Sequence, residues 1–186
     1  MTFTSPQNNI DQFDLDKGMK VADLGAGSGA YTIAAAKKVG EDGKVNSIEV
    51  QKELLGKLRD LAVSNHLFNV EVIWGDIEKI GGTRLKDISM DAVIISNVLF
   101  QVVEKSNLIK EAFRILKPKR RVLFIEWAGS YGGLGPTLEE VVEPEQAKKL
   151  FIDNGFEYEK DVYAGDNHYG IIFRKREQSE DEIILN

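Results

Sequence analysis

Val21-Ala22-Asp23-Leu24-Gly25-Ala26-Gly27-Ser28-Gly29 is the stretch from which the fold can be read. A short apolar run enters Gly-x-Gly-x-Gly, and a helix is expected from about Tyr31 to Val39, stopped by Gly40. Glycine lets the backbone turn tightly and lets a ligand approach with no Cβ in the way. The helix start then aims free N–H groups at that ligand. Strand, glycine turn and helix in this order make a nucleotide-binding turn. The stretch also fits Gly-x-Gly-x-x-Ala, through Gly25, Gly27 and Ala30, the fingerprint of dinucleotide sites. A tight turn holding no ligand would use the same glycines.

Outward from this turn, short apolar runs alternate with segments of helical period. Val45 to Val50 reads as a strand, and Leu54, Leu55, Leu58, Leu61 and Ala62 follow at helical spacing. Val70 to Trp74 alternates as a strand. Ala92-Val93-Ile94-Ile95 is a continuous run, as in a parallel strand buried on both faces. Leu108, Ile109, Ala112, Phe113, Ile115 and Leu116 form another helical stripe, which Pro118 should end. Val122 to Ile125 is the next buried strand. Such alternation predicts a parallel sheet with helices on both faces. After a glycine-rich loop at Gly129 to Pro136, a helix is expected from Pro144 to Asn154. Phe156–Tyr163 and His168–Lys175 flank Ala164-Gly165-Asp166-Asn167, which is turn chemistry. That hairpin makes one edge of the sheet antiparallel.

A chain of 186 residues predicts one domain. We read residues 1–17 as an amino-terminal arm, 18–176 as the domain and 177–186 as a polar, frayed tail. Lys and Arg number 24 against 30 Asp and Glu, a net charge of −6. This balance carries no general attraction to nucleic acid or anionic lipid. Cysteine is absent, which removes disulfides, thiolate metal sites and cysteine nucleophiles. The two histidines and scattered acids show no metal-ligand spacing, so no metal is expected. No apolar stretch approaches the ~20 residues of a membrane span, and Met1 to Leu15 lacks a signal-peptide core. The expected location is the cytoplasm.

Three strand ends carry further candidates. Glu49, with Val50 beside it, ends the second strand 20 residues after Gly29. A carboxylate there can take both ribose hydroxyls, or it is a surface glutamate. Trp74-Gly75-Asp76-Ile77 closes the third strand. Asp76 can accept from the amine of an adenine while Ile77 packs on the ring, or it can cap the next turn. Ser96-Asn97 closes the fourth strand, and an amide there can meet cofactor or substrate.

Together these residues resemble the class I S-adenosylmethionine-dependent methyltransferases. Val21 to Gly29 looks like motif I of that family, Glu49 its acidic ribose ligand, and Gly75-Asp76-Ile77 its adenine-contacting motif. Glu111-Ala112-Phe113-Arg114-Ile115-Leu116-Lys117-Pro118 is similar to the helix leading into its fifth strand. The resemblance covers about residues 18–176. It is strongest to the broad group holding the ubiquinone/menaquinone-biosynthesis C-methyltransferases. It implies a Rossmann-like three-layer α/β sandwich with a seven-stranded sheet of order 3-2-1-4-5-7-6, strand 7 antiparallel. The implied cofactor is S-adenosyl-L-methionine, with S-adenosyl-L-homocysteine as product. Its methionine and ribose would lie on Gly25, Ala26, Gly27, Ser28 and Gly29, with Asp23 orienting the loop and the ammonium group and Tyr31 covering the ligand.

Methyl transfer from a sulfonium is an in-line displacement, so alignment and water exclusion dominate. A base is needed only where the acceptor must lose a proton. With strand 7 antiparallel, its first residues, His168 and Tyr169, fall at the cofactor edge. Together with Asn97 they are the catalytic candidates. Trp127, Tyr131 and the loop Gly129 to Val142 belong to the same edge, whereas His66 reads as a helix cap. A small-molecule acceptor is expected.

Two departures from the family stand out. Pro118-Lys119-Arg120-Arg121 replaces the usual Pro-Gly-Gly, which predicts strain in that turn. The arm is also short, which bears on enclosure of substrate. Ser96-Asn97-Val98-Leu99 is not the Asn/Asp-Pro-Pro-aromatic motif of amino-methylating relatives. The missing cysteine disfavours thiolate-based arsenite methylation. Asp91 begins its strand, so metal-dependent catechol chemistry is unsupported. Competing readings are a nicotinamide oxidoreductase and a non-catalytic S-adenosylmethionine-binding module.

Overall fold

In the computed structural model, residues 4–177 are described. The expected tail at 177–186 falls, after its first residue, outside the described residues. Seven strands form one sheet: β1 (Lys20–Leu24), β2 (Lys44–Glu49), β3 (Val70–Trp74), β4 (Met90–Ser96), β5 (Leu116–Trp127), β6 (Phe156–Val162) and β7 (His168–Lys175). Their order is β3-β2-β1-β4-β5-β7-β6. The first five strands pair in parallel. β7 is antiparallel to both β5 and β6, as the turn at Ala164 to Asn167 requires.

Alternation along the strands divides the core in two. Val21, Ala92, Ile94, Leu123, Ile125 and Ile172 face one layer, with Ile10, Phe13, Ala35 and Val39 above them. Ala22, Val93, Ile95, Phe124, Ile171 and Phe173 face the other, under Leu108, Ala112, Ala147 and Phe151. The first layer holds helices α1 (Pro6–Phe13) and α2 (Ala30–Val39), with α3 (Lys52–Ser64) against the start of α2. The second holds α4 (Lys105–Ile115) and α5 (Pro144–Asp153). Central strands buried from both sides explain the unbroken apolar runs. In the second layer Phe151 stacks on Phe173 at 4.0 Å. Each fully buried phenylalanine contributes roughly 1.5–3 kcal/mol.

Two local features differ from the sequence reading, and a third, the turn at Lys119, agrees with it. The arm contains helix α1, in which Ser5 caps the first turn, Pro6 starts it, and Ile10 and Phe13 are buried. Helix α4 ends at Ile115, and the chain extends at once as β5, so Pro118 lies inside a strand segment. Lys119, where relatives place glycine, is left-handed with φ 62. That conformation costs a non-glycine residue roughly 1–2 kcal/mol. The basic turn is partnered locally: Lys117 and Arg120 pair with Asp91 at 2.7 and 3.8 Å. Asp91 therefore ties the amino ends of two strands together, on the edge opposite the glycine turn. His66 follows α3 as a left-handed residue, φ 56, with its N–H on the Val63 carbonyl.

Candidate functional site

The carboxyl ends of β1, β2, β3 and β4 converge on one cavity of about 730 Å³. Its floor is the glycine turn. Gly25 and Ala26 both donate N–H groups to the Ile48 carbonyl at 3.0 Å, which fastens the turn to β2. Gly25 is left-handed, φ 76, and a Cβ on it would lie 2.7 Å from Val98 Cγ2. A side chain there would fill the cradle, so glycine is required at this position. Gly27 and Ser28 line the cavity, whereas Gly29 does not. Gly29 instead makes room for α3, since its Cβ would meet Leu58 Cδ2 at 2.5 Å.

Asp23 also lies beneath the cavity. Its carboxylate accepts from Thr32 Oγ1 at 2.6 Å, and that hydroxyl lies 2.9 Å from Ser47 Oγ. Burial pushes the Asp23 carboxyl up to about 6, against the bonds from Thr32. Asp23 is thus a strut joining β1, α2 and β2.

Glu49 lines the cavity wall. One carboxylate oxygen accepts from the Gly27 N–H at 2.9 Å and the other from the Gln51 N–H at 2.8 Å. Each oxygen retains a second lone pair for a ligand hydroxyl. Val50 is exposed at the rim. Its carbonyl accepts from the Trp74 indole N–H at 3.1 Å.

Asp76 both caps its turn and lines the cavity. Oδ1 accepts from the Glu78 N–H at 3.0 Å, and Oδ2 pairs with Lys79 at 2.9 Å. The Lys79 ammonium holds the carboxyl below its ordinary value, against some burial. Ile77 is buried beside the position that a Gly25 Cβ would occupy.

Sequence reading missed what holds this turn. The Asp76 N–H donates to the Gly82 carbonyl at 3.1 Å. Gly81 and Thr83 donate N–H groups to the buried Glu111 carboxylate at 2.8 and 3.2 Å. The signal was Gly81-Gly82 close after Asp76. A Cβ on Gly82 would lie 2.0 Å from the Asp76 carbonyl oxygen, whereas one on Gly81 would meet nothing within 4 Å. Gly82→Ala is expected to destabilise by at least about 2 kcal/mol, since backbone must move. Gly81→Ala, with only its left-handed conformation to strain, should cost about 1 kcal/mol. Urea unfolding of both variants checks the order.

Asn97 is left-handed, φ 53. Its N–H donates to the Ile125 carbonyl at 2.9 Å, and its carbonyl accepts from Gln101 Nε2 at 3.2 Å. Its side-chain Oδ1 is buried with no partner among the described residues. An unpaired buried acceptor costs about 1–3 kcal/mol, and this residue borders the cavity.

The arm supplies the rim. Thr4 and Pro6 line the cavity. Asn9 Nδ2 donates to the Tyr31 hydroxyl at 2.7 Å, with Thr4 Oγ1 at 3.3 Å. Tyr31 is therefore buried at the cavity wall, tying α1 to α2. Ser5-Pro6 followed by Ile10 and Phe13 was the sequence signal for this helix.

His168 and Tyr169 lie elsewhere. Both border a second cavity of about 290 Å³, with Pro144 and Lys148 of α5. The His168 ring packs 4.2 Å from Trp127, and neither ring nitrogen has a partner among the described residues. Burial pushes its pKa down. Tyr169 donates its hydroxyl to the Val142 carbonyl at 2.7 Å. Burial pushes that phenol well up. Trp127 is flanked by Tyr131 at 6.2 Å. Gly135 lies against its ring, where a Cβ would fall 2.5 Å away.

Among the described residues no helix is long and apolar enough to cross a membrane. A sequence profile of a methyltransferase domain family matches residues 15–173. The ubiquinone/menaquinone biosynthesis C-methyltransferase UbiE of Cronobacter sakazakii is 28% identical over 182 residues, covering 80% of this chain and 70% of that enzyme. An arsenite methyltransferase of Halobacterium salinarum is 34% identical over 105 residues, covering 56% of this chain and 26% of that enzyme. The chain also spans less than half the length of the Haemophilus ducreyi UbiE, 45%. Among solved structures, a SAM-dependent methyltransferase from Aquifex aeolicus superposes with a TM-score of 0.83 at 28% identity, covering 92% of this chain and 90% of that one. The [4+2]-cyclase SpnF shares the fold alone, at a TM-score of 0.77 and 19% identity. With the strand order, the glycine turn and the acidic strand end all in agreement, the chain belongs to the class I S-adenosylmethionine-dependent methyltransferases.

Proposed function

We propose that this enzyme methylates a small-molecule acceptor, with S-adenosylmethionine seated in the 730 Å³ cavity. The observation that carries this reading is the meeting of four different strand ends at one glycine-floored cavity. The residues fit the cofactor. Gly25 keeps open a cradle that a Cβ would fill. Asn97 Oδ1 is an orphaned acceptor at the edge.

In this reading Gly25, Ala26, Gly27 and Ser28 receive the methionine and ribose portions. Glu49 accepts the ribose hydroxyls through its remaining lone pairs. Asp76 accepts from the adenine amine, Ile77 packs on the ring, and Val50 borders it. Tyr31 and the described residues of the arm, 4–17, wall off water above domain 18–176. Asp23 and Gly29 support the turn from below. When bound, the cofactor supplies an electrophilic methyl group on a sulfonium. The protein's task is then to align the acceptor lone pair behind it. Asn97 and Ser96 are the polar groups nearest that task. His168 and Tyr169, one cavity away, act as wall residues rather than as a base.

The acceptor stays at the level of a small organic molecule, as the kinship to UbiE suggests. Arsenite is disfavoured, because the chain has no cysteine. A cytoplasmic location is part of the same reading.

Thermal unfolding with S-adenosylmethionine, S-adenosylhomocysteine, NAD and NADP in parallel tests the site. At a hundredfold over Kd, a ligand adds about 2.7 kcal/mol. For a chain of this length that is roughly 5–10 °C. A shift with the first two compounds alone is expected. A shift with NAD or NADP alone would sink the assignment.

A further inference from the structure

Glu126 lies in β5 one residue before its end, and its side chain is fully buried. Nothing in the cofactor reading uses it. Yet its carboxylate gathers three backbone N–H groups. One oxygen accepts from Leu99 at 3.0 Å and from Phe100 at 3.3 Å. The other accepts from Trp127 at 2.9 Å. Leu99 and Phe100 begin the short 3-10 turn Leu99–Gln101, which follows β4. A turn start carries free N–H groups, and a carboxylate is the strongest acceptor available for them.

That turn is a wall of the cofactor cavity. Asn97, Val98, Gln101 and Val102 all border it. Asn97 is left-handed, φ 53, a conformation that asparagine tolerates. Bonds on either side of it fix that conformer. On one side the Asn97 N–H is held by the Ile125 carbonyl at 2.9 Å. On the other, the following turn is held by Glu126. Val98, between them, is the residue whose Cγ2 defines the space over Gly25.

We propose that Glu126, as a carboxylate, is the positioning residue that sets the 97–101 wall and so the affinity of the cavity for cofactor. This deepens the function proposed above and rests on that site assignment. Glu126 touches neither cofactor nor acceptor; it acts through Asn97 and Val98. The protonated acid would keep the side chain in place. Its O–H would then face N–H groups with one acceptor position fewer, and the turn would lose part of its hold.

Burial raises the Glu126 carboxyl to about 7, against the three N–H bonds. Among the described residues, few charged and titratable groups surround it. Lys105 of α4 favours the carboxylate. Tyr169 of β7, near both Glu126 and Glu143, is pushed up by burial and stays neutral. His168, beside Trp127, is pushed down by burial. Any pH effect from His168 would survive in a variant lacking Glu126.

The test pairs Glu126→Gln with wild type, both full-length, between pH 8 and pH 6. Amide hydrogen exchange without ligand is followed at Leu99 and Phe100, corrected for intrinsic rates. Calorimetry measures Kd for S-adenosylhomocysteine. In wild type, protection at both amides is expected to fall as pH drops to 6. With ionised Glu126 the competent form, affinity should weaken about tenfold over that range. Glu126→Gln should show the low-pH protection and weak binding at pH 8, with little further change in protection toward pH 6. If the variant does not fold, wild-type exchange at Leu99 and Phe100 across pH decides alone, because the Asp23 carboxyl, raised to about 6, also bears on affinity in this range. Unchanged protection at Leu99 and Phe100, in the variant or across pH, would overturn the proposal. Pronounced exchange changes with no S-adenosylhomocysteine binding at any pH would leave Glu126 holding the turn, and would instead overturn the cofactor site.

Discussion

Glu111→Ala is expected to lower the folding free energy by about 3–5 kcal/mol, the cost of breaking a buried ion pair from one side. Glu111 is fully buried on α4. It accepts from Arg114 Nε at 2.8 Å and Nη2 at 2.7 Å, and from Thr83 Oγ1 at 2.6 Å. The N–H groups of Gly81 and Thr83 complete its shell. Arg114 also pairs with Asp87. Removing the carboxylate leaves a mostly buried guanidinium with only Asp87 and Thr83 Oγ1, and two backbone donors without their partner. It also frees the loop whose Gly82 carbonyl holds Asp76. At about 2–4 °C per kcal/mol for this length, the melting temperature should fall by roughly 6–20 °C. A loss under about 1 kcal/mol in urea unfolding would show that the network contributes little.

The same group has a pH signature. Burial works to raise the Glu111 carboxyl, but Arg114, Thr83 and the two N–H groups outweigh it, and the net shift is down from 4.5. The unfolded chain therefore binds its proton first as pH falls. The stabilisation is complete above about 4.5 and is lost as pH drops through the lower, folded value. Wild type should lose stability more steeply below pH 4.5 than Glu111→Gln does.

Glu49→Ala is expected to weaken S-adenosylhomocysteine binding by about a hundredfold or more. Two hydrogen bonds to a charged acceptor, at roughly 1.5–3 kcal/mol each, would be lost with the ribose. The Gly27 and Gln51 N–H groups would also lose their acceptor. The glycine turn would then be held to β2 by the Ile48 carbonyl alone. Glu49→Gln should recover part of the affinity, because one acceptor oxygen remains. His168→Ala should leave cofactor affinity within about twofold, because the imidazole lies outside the cavity. Calorimetric titration of the three variants orders them. An effect of His168→Ala equal to that of Glu49→Ala would contradict the site described above.

Much of the fold was legible because its signals are local. Val21 to Gly29 needs no distant information to read as strand, turn and helix. The run Ala92 to Ile95 reads as buried on both faces from its composition, and the structure buries it so. Lys119 in place of glycine predicted a strained turn, and its φ of 62 is that strain. Glu49 and Asp76 were legible as cavity-lining residues because they stand at the carboxyl ends of parallel strands, where ligands gather in such folds.

Other features depended on lateral neighbours. His168 does start β7 at the predicted edge, opposite Trp127. But β5 lies between β7 and β4, so His168 stands two strand spacings, about 10 Å, from the cavity wall at Asn97. Height along a strand follows from sequence, whereas distance across the sheet follows from strand order. Helix α1 was overlooked because its eight residues carry little apolar surface of their own. It is stable where Ile10 and Phe13 find α2 and the sheet.

The sequence by itself determined the layered α/β architecture, the nucleotide turn and the acidic strand ends, since each rests on backbone geometry or periodicity within a few residues. Only the tertiary structure decided which carboxylates border the cavity and which are enclosed behind its wall. Glu49 and Glu126 are both acids near strand ends, with nothing local to tell them apart. One borders the cavity and the other is enclosed beneath its wall. Burial and hydrogen-bond partners are set by which segments meet across the sheet, and that meeting is a property of the whole fold.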